Sequence, residues 1–307
     1  MKLTDPIFTD ANKARAHFEA IRWPNGPICP HCGETEKVYR LDGTKHRPGL
    51  IHCNACAGQF TVTTGGVMES SHIPLNKWAL GFYLYASSKK GFSANQLHRA
   101  LGITYKSAWF MSHRIREAMT PVAGSEPPLG GDGFVVEADE TYLGKKDGKR
   151  KHLGAGGYGH KRTVLSLVER GSEIRSFKLG SNQKHEIVAK IRENVDPAST
   201  LHTDGAPAYK FTGAVAAHEA VDHGKEYVRK GKDELVHTNT LEGFFSVFKR
   251  GMVGTYQHCG EQHLQRYLAE FDFRANNRVA LGVNDDVRAE RAIKGAEGKR
   301  LTYQRAN

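Results

Sequence analysis

Apolar residues recur at helical spacing near the start of the chain. Ala14, Phe18 and Ile21 fall on one face of a helix within residues 1–26, and the pattern ends at Trp23. Because the residue before a proline avoids the helical region, we expect this short amphipathic helix to stop there.

Residues 67–120 carry the same periodicity and are predicted to be helical. Ser93 and Thr104 are suitable caps for two successive helices, and Gly102 lies between them, where a turn is needed. A helix, a short glycine turn and a second helix form the helix-turn-helix layout of DNA-binding proteins. An ordinary helical hairpin with a solvated basic face would show the same pattern.

The pattern changes after a Pro/Gly-rich linker at 121–133. Residues 134–280 alternate strand-like and helix-like runs: three strands, a helix, two strands and then helices. We expect the second and third strands to form a hairpin around Gly171, and Asn182 is a candidate cap for the first helix. This order predicts an α/β domain of the RNase H-like fold, a mixed sheet with flanking helices. The polar, basic residues 281–307 are expected to form a loosely packed C-terminal tail, with one candidate helix at Asp285–Ile293.

The balance of charge narrows the choice of partner. The chain has 44 Lys and Arg residues against 33 Asp and Glu, a net charge of +11, which favours a polyanion such as nucleic acid. An anionic membrane surface would attract the same charge, but no run approaches the roughly 18–20 apolar residues of a spanning helix. The first residues also lack the apolar core of a signal peptide. We therefore expect no membrane partner and a cytoplasmic, nucleoid-associated protein.

Four of the five cysteines form a metal-binding pattern in residues 27–66. Two C-x2-C pairs are separated by 20 residues, so that two turns deliver four thiolates to one tetrahedral ion. The predicted ligands are Cys29, Cys32, Cys53 and Cys56. With short strands around them they would form a zinc ribbon holding one structural Zn²⁺, since four thiolates leave no open coordination position. The alternative is that one of the two cysteine pairs is redox-active. Within the metal interpretation, His31 and His52 flank the cysteines and are competing ligands. We expect the fifth cysteine, Cys259, to be a small buried thiol.

Three acidic residues lie in positions that suit a two-metal phosphoryl-transfer site. Asp139 lies in the first predicted strand of residues 134–280, Asp204 ends the fourth, and Glu242 lies on a later helix. Neighbouring strands would place the aspartates side by side. Their hard oxygens suit two Mg²⁺ (or Mn²⁺) ions, which activate an attacking hydroxyl and stabilise a departing one. Each residue alone could be a strand-end, turn or solvated helix acid, but their joint occurrence in this order favours a catalytic set. Within the strand, Glu137 should share the face of Asp139, and Glu140 should point to the other.

Two further residues bear on this site. Lys249 lies seven residues after Glu242, two turns along the same helix face, where it would contact a DNA phosphate. Asn239 is the rival third metal ligand, because its amide oxygen can coordinate, whereas Glu242 is preferred for its charge and its spacing to Lys249.

Basic residues in three places are candidate DNA contacts: the second helix of the helix-turn-helix region, the run after the first strand, and the end of the helix that carries Glu242. The candidates are Lys106, Arg114, Arg116, Lys145, Lys146, Lys249 and Arg250.

Together these segments resemble the DDE transposases of bacterial insertion sequences, in the branch with an N-terminal zinc ribbon. The resemblance covers nearly the whole chain and is carried by CPHC and CNAC, ADETYLGKK, HTDGAPAY, HTNTLEGFFSVFKRG and GTYQH. It implies an RNase H-like domain with a DDE triad of Asp139, Asp204 and Glu242, and the family's Glu-six residues-Lys pattern at Glu242 and Lys249. The implied reaction is Mg²⁺-dependent cleavage at transposon ends, followed by attack of the freed 3′-hydroxyl on target DNA. Some relatives in this branch have a different third residue, which keeps Asn239 open.

Two other functions fit parts of the pattern. A catalytically inactive, transposase-derived zinc-ribbon DNA-binding protein would keep the fold, but the intact triad and Lys249 argue against it. A nuclease or Holliday-junction resolvase on the same fold would not need the zinc ribbon and the helical region. The expected partners are transposon-end DNA, target DNA and further copies of the chain, since joining paired ends implies a dimer or larger assembly.

Overall fold

Packing divides the chain into two units, residues 1–120 with 282–307 and residues 121–281. The computed structural model describes residues 2–302 apart from 123, 146–159, 181–183, 207–208, 210–212, 214, 223, 227 and 232–234. Among the described residues, no helix is both long and apolar enough to cross a membrane.

The first unit contains a small antiparallel sheet where the zinc ribbon is predicted. Its strands are β1 (Val38–Arg40), β2 (Ile51–Cys53) and β3 (Gln59–Phe60), with β2 in the centre. Ile51, Cys53 and Phe60 are buried. The sheet therefore presents one small apolar face and positions the turns that carry the cysteines.

Four helices of the first unit lie in the two segments that the sequence predicts to be helical, 1–26 and 67–120. They are α1 (Ala11–Arg22), α2 (Leu75–Ser87), α3 (Ala94–Leu101) and α4 (Tyr105–Met119). Ser93 caps α3 in a reciprocal capping box with Gln96, and the Thr104 side chain accepts from the Ser107 backbone N–H at the start of α4. Gly102 between them has φ 57°, a conformation that glycine adopts without strain. The α3–turn–α4 layout confirms the predicted helix-turn-helix-like region.

The second unit is built on a five-stranded mixed sheet. Its strands are β4 (Val135–Leu143), β5 (Arg162–Glu169), β6 (Ile174–Leu179), β7 (Thr200–Asp204) and β8 (Ala217–Val221), in the spatial order β6-β5-β4-β7-β8. β4, β5 and β6 are antiparallel, β5 and β6 turn at Gly171 with φ 79°, and β7 and β8 run parallel to β4. This is the predicted RNase H-like sheet.

Helices cover both faces of that sheet. α5 (Lys184–Asn194) packs on one face, and α6 (Asn239–Gly251) and α7 (Leu264–Asn276) pack on the other. The short strands β9 (Arg229–Lys230) and β10 (Leu235–Val236) precede α6 in the chain. A π-helical segment, Met252–Tyr256, follows directly after α6. Cys259 is buried in the core between the sheet and α6–α7, as expected, whereas the candidate cap Asn182 lies outside the described residues.

The last helix belongs to the first unit and corrects the expectation of a loosely packed C-terminal end. α8 (Asp285–Lys294) packs on α2, with Ala289, Ala292 and Ile293 buried. The Arg288 Nη1 also donates to the Ala86 carbonyl at 2.9 Å. The apolar face of α8 is small, and much of its anchoring is polar, so hydrophobic periodicity alone does not reveal that it is packed.

The packing of the C-terminal end of α8 against α4 can be tested at Gly295, where an added Cβ would lie 2.3 Å from the Ala118 carbonyl oxygen. Gly295→Ala should destabilise the protein by about 1–3 kcal/mol, because a backbone atom must move to admit the methyl group. Gly243→Ala is the matched control: nothing lies within 4 Å of its added Cβ, so the change should be neutral or stabilising by up to about 1 kcal/mol. Denaturant unfolding measures the stability of both variants, and equal unfolding midpoints for Gly295→Ala and Gly243→Ala would show that the end of α8 does not pack against α4.

Candidate functional site

The parallel pairing of β4 with β7 brings two predicted site residues together. The pairs run from Val135 opposite Thr200 to Ala138 opposite Thr203. The next residue on each strand is Asp139 and Asp204, at the point where the ladder ends. Because the strands are parallel, both side chains leave the sheet on the same face and at the same level.

Glu140 joins these aspartates. The carboxylate oxygens of Asp139, Glu140 and Asp204 all lie within 4.8 Å of one another. As predicted, the register places Glu140 on the opposite face of the strand, across from Leu165. Its carboxylate nevertheless reaches the cluster at the strand edge that β7 leaves open, and it accepts a 2.7 Å hydrogen bond from the buried Tyr209 hydroxyl.

The cluster holds more negative charge than its surroundings neutralise. The pKa of Asp139 is raised to about 8, first by burial and then by the charges of Asp204, Glu140 and Glu242, against a hydrogen bond from the Glu140 backbone N–H that lowers it. Burial also raises the pKa of Glu140 to about 7, despite the hydrogen bond from Tyr209. A bound divalent cation would neutralise the repulsion between these close carboxylates and favour their ionised form. Their oxygens are also hard ligands, so the residues fit a divalent metal site.

Glu242 lies in the first turn of α6 and is exposed, on a helix that packs against β4. Its charge acts on Asp139, but its oxygens are not among those within 4.8 Å of one another. Asn239, the first residue of α6, is also exposed, as is Lys249 in the last turn. The choice between Glu242 and Asn239 as third ligand therefore stays a prediction.

The candidate DNA contacts divide into surface and interior residues. Lys106, Lys145 and Arg250 are exposed, whereas Lys146 lies outside the described residues. Arg114 is half-buried over the Phe110 ring, and its Nη1 donates to the Glu69 carbonyl at 3.1 Å.

Arg116 is a correction to the predicted DNA contacts. It is only 2% exposed and lies over the Tyr85 ring, so it stabilises the interior and does not reach a phosphate. The periodic pattern missed this because the second half of α4 is buried around most of its circumference, including Ser112 and His113.

The four predicted zinc ligands also converge. The Sγ atoms of Cys29 and Cys56 are 3.7 Å apart, those of Cys32 and Cys53 are 3.7 Å apart, and all four lie within 4.8 Å. A tetrahedron with Zn–S bonds of about 2.3 Å has sulfur–sulfur edges of about 3.8 Å. The geometry fits zinc, and neither His31 nor His52 belongs to this group among the described residues.

The second unit has a mixed RNase H-like sheet with acidic residues where β4 and β7 part, and the first unit has four clustered thiolates. Together these features are typical of a nucleic-acid-processing protein of the DDE class. Comparison with known families agrees. Residues 128–276 match the ISXO2-like transposase domain, and residues 9–59 match the transposase zinc-ribbon domain. The two matches span about two thirds of the chain, which belongs to the insertion-sequence DDE transposases with an N-terminal zinc ribbon. A search of curated proteins found no match.

Sequence reasoning missed Glu140 as a member of the acidic cluster. The signal was present in the run Glu137-Ala138-Asp139-Glu140, but strand alternation assigns neighbouring residues to opposite faces. Only the end of the β4–β7 ladder allows the two carboxylates to meet, and that end is a property of the sheet.

Removal of the thiolates tests the zinc assignment. Cys29→Ser and Cys56→Ser should lose zinc and lower the unfolding midpoint, because a structural zinc contributes directly to folding. Cys259→Ser is the matched control, since its buried Sγ lies in the other unit and donates to the Gly260 carbonyl at 3.2 Å; it should keep one zinc per chain. Elemental analysis gives the zinc content, and full zinc in Cys29→Ser would remove that residue from the ligand set.

Crowding of the carboxylates predicts a pH-dependent stability. The folded-state pKa of Asp139 is about 8, well above its ordinary value of about 3.9. The protonated Asp139 carboxyl therefore contributes to the free energy of unfolding. This contribution is fully present below about pH 4 and is lost as the pH rises through about 8. Asp139→Asn should lack this loss, so its melting temperature should exceed that of the wild type increasingly between pH 5 and 8, with the ribbon zinc retained.

Divalent ions supply the control for that experiment. Added Mg²⁺ or Mn²⁺ should raise the melting temperature of the wild type and have little effect on Asp139→Asn, because binding to the folded state stabilises it. Parallel pH curves for the two proteins, with equal responses to Mn²⁺, would contradict the charge-crowded site.

Proposed function

We propose that the chain is an active transposase, which cleaves DNA at transposon ends and joins the freed 3′-hydroxyl to target DNA. The convergence of Asp139, Glu140 and Asp204 where β4 and β7 part is the observation that supports catalysis. An inactive, DNA-binding descendant would have no need to keep mutually repelling carboxylates together, since such a cluster destabilises the fold.

In this proposal the carboxylates bind Mg²⁺ or Mn²⁺. Asp139 and Asp204 hold two ions from the sheet, and Glu242 supplies the third ligand from α6, with Asn239 as the alternative. When bound, the pair of ions would activate the attacking oxygen and stabilise the leaving oxygen of the phosphodiester. The strands fix the two aspartates, and Tyr209 orients Glu140 beside them through its 2.7 Å hydrogen bond.

Lys249 binds a phosphate of the DNA in this arrangement. It lies seven residues after Glu242 on the same helix, about 10 Å along the helix axis and on the same face. Both residues are exposed, so a DNA strand placed across α6 would meet the metal ligand and the cation together. Arg250 and Lys145 are exposed basic residues that extend the phosphate-binding surface.

The remaining parts of the chain recognise and organise the DNA. The zinc ribbon (27–66) and the helix-turn-helix-like region (67–120) bind transposon ends, with Lys106 on the exposed side of α4 as a contact. The linker (121–133) leads to the catalytic domain (134–280). Two ends must be joined in one event, so we propose a homo-oligomer that acts at the nucleoid.

Strand transfer in vitro tests the proposal. Purified protein should join a labelled transposon-end fragment to a target plasmid in Mg²⁺ or Mn²⁺. Asp139→Asn and Asp204→Asn should reduce joining by at least about 10³-fold while end binding changes little, because they remove metal ligands and not phosphate contacts. Joining by either aspartate variant at the wild-type rate would remove that residue from the site.

Glu242→Gln and Asn239→Ala decide the third ligand in the same assay. Loss of joining in Glu242→Gln alone supports the DDE triad, whereas loss in Asn239→Ala alone assigns the role to the amide. Specific end binding by the wild type with no cleavage in either metal would favour the inactive, DNA-binding descendant.

A further inference from the structure

A second polar layer lies behind the acidic cluster on the same face of the sheet. Glu137 precedes Asp139 by two residues on β4, His202 precedes Asp204 by two residues on β7, and the register pairs Glu137 with His202. Both are 0% exposed. Each strand that carries a catalytic aspartate therefore also carries a buried polar residue, about 7 Å back along the strand.

Glu137 binds the beginning of α6. Its Oε2 accepts from the backbone N–H groups of Thr240 at 3.1 Å and Leu241 at 3.3 Å, and its Oε1 accepts from the Thr240 hydroxyl at 2.9 Å. The N-cap residue of α6, Thr238, makes no capping hydrogen bond with its side chain. A carboxylate from the sheet thus satisfies the N–H groups that a helix start leaves open, at the positive end of the helix dipole.

Arg170, at the turn between β5 and β6, holds Glu137 in place. Its Nε donates to the Glu137 Oε1 at 2.8 Å. Its Nη2 lies 3.0 Å from the His202 Nδ1 and donates to the His237 carbonyl at 3.1 Å. One planar guanidinium therefore connects β4, β7 and the segment that leads into α6, a geometry that a lysine ammonium does not reproduce.

Stability alone is a poor explanation for this arrangement. A buried ion pair loses much of its Coulomb energy to desolvation, and apolar residues of similar volume often replace such pairs without loss. What apolar residues do not supply is a set of directed hydrogen bonds from one carboxylate to a helix start. The three elements that Glu137 and Arg170 connect are those that carry Asp139, Asp204 and Glu242.

We propose that Glu137, held by Arg170, is the positioning residue of the catalytic site: it fixes the start of α6 against β4 and so sets the third metal ligand relative to Asp139 and Asp204. This inference rests on the proposed function, because it takes that ligand from the first turn of α6. It holds for Glu242 and for Asn239 alike, since both lie within one turn of the residues that Glu137 binds.

Glu137→Gln tests this role. Glutamine has the same shape, but its amide nitrogen cannot accept from a backbone N–H and would oppose a donor of Thr240 or Arg170. We expect Mn²⁺ binding to weaken about 10–100-fold, the usual effect of losing a residue that orients metal ligands. Mn²⁺ binding is read without DNA from the electron paramagnetic resonance of free Mn²⁺, on full-length protein that keeps its ribbon zinc.

Activity assays separate positioning from folding. In Glu137→Gln, the Mn²⁺ concentration that half-saturates strand transfer should rise by about the same 10–100-fold, and high Mn²⁺ should restore part of the rate. The dissociation constant for end DNA should stay within about twofold, because phosphate contacts are untouched. A variant that is merely less stable would lose DNA binding together with the rate of strand transfer.

Glu270→Gln is the matched control. Glu270 is also 0% exposed and also accepts from an arginine and a hydroxyl, Arg274 and Tyr256, but it lies on α7 near the segment that follows the far end of α6. It should lower the melting temperature while Mn²⁺ binding stays within about twofold, since no metal ligand depends on it. Arg170→Lys is a second variant, to be used if Glu137→Gln does not fold. It keeps the positive charge but loses the planar set of donors, and it should also weaken Mn²⁺ binding.

The outcomes separate this inference from the proposed function. Mn²⁺ binding and turnover within twofold of wild type in both Glu137→Gln and Arg170→Lys would overturn the positioning role, as would equal loss of Mn²⁺ binding in Glu270→Gln. If the wild type binds Mn²⁺ but joins no DNA, the proposed function fails, and Mn²⁺ binding by the same variants still decides whether Glu137 positions the site.

Discussion

The parallel pairing of β4 with β7 is the constraint on which the site depends. β4 is antiparallel to β5 and parallel to β7, so it is the strand at which the direction of the sheet changes. The β4–β7 ladder ends at Ala138 and Thr203, and the following aspartates face each other with no further strand pairing between them. A slip of one residue would move one aspartate to the opposite face, where α5 packs.

The sheet stores unfavourable electrostatics at this point. Burial and mutual repulsion raise the pKa of Asp139 to about 8 and that of Glu140 to about 7. The large apolar clusters on the two faces of the sheet, with α5 on one side and α6 and α7 on the other, hold the backbone in place against this repulsion. A site that is unfavourable without its cation binds that cation more tightly for the same reason.

The two candidate metal sites of this chain depend on different physics. The ribbon cysteines come from two tight turns, and their local spacing is enough to close a tetrahedron around one soft-ligand ion. The acidic cluster comes from two strands, and the proposed third ligand comes from a helix. These elements are far apart in the chain, so their geometry depends on the packing of the whole second unit. The buried Glu137–Arg170 pair connects these elements directly, which is why a single strand position behind Asp139 bears on the helix that carries Glu242.

The sequence by itself determined much of this protein. Cap residues and a glycine specified where α3 begins and ends and where α4 begins. C-x2-C spacing specified which four cysteines converge, and short apolar runs specified the strands, because each signal acts within a few residues. Tertiary structure alone decided the rest. It drew Glu140 into the acidic cluster where a ladder ends, buried Arg116 in a helix that looks half-exposed by periodicity, and packed α8 onto α2 through a small apolar face. Those outcomes depend on which surfaces meet, a property that local spacing does not encode.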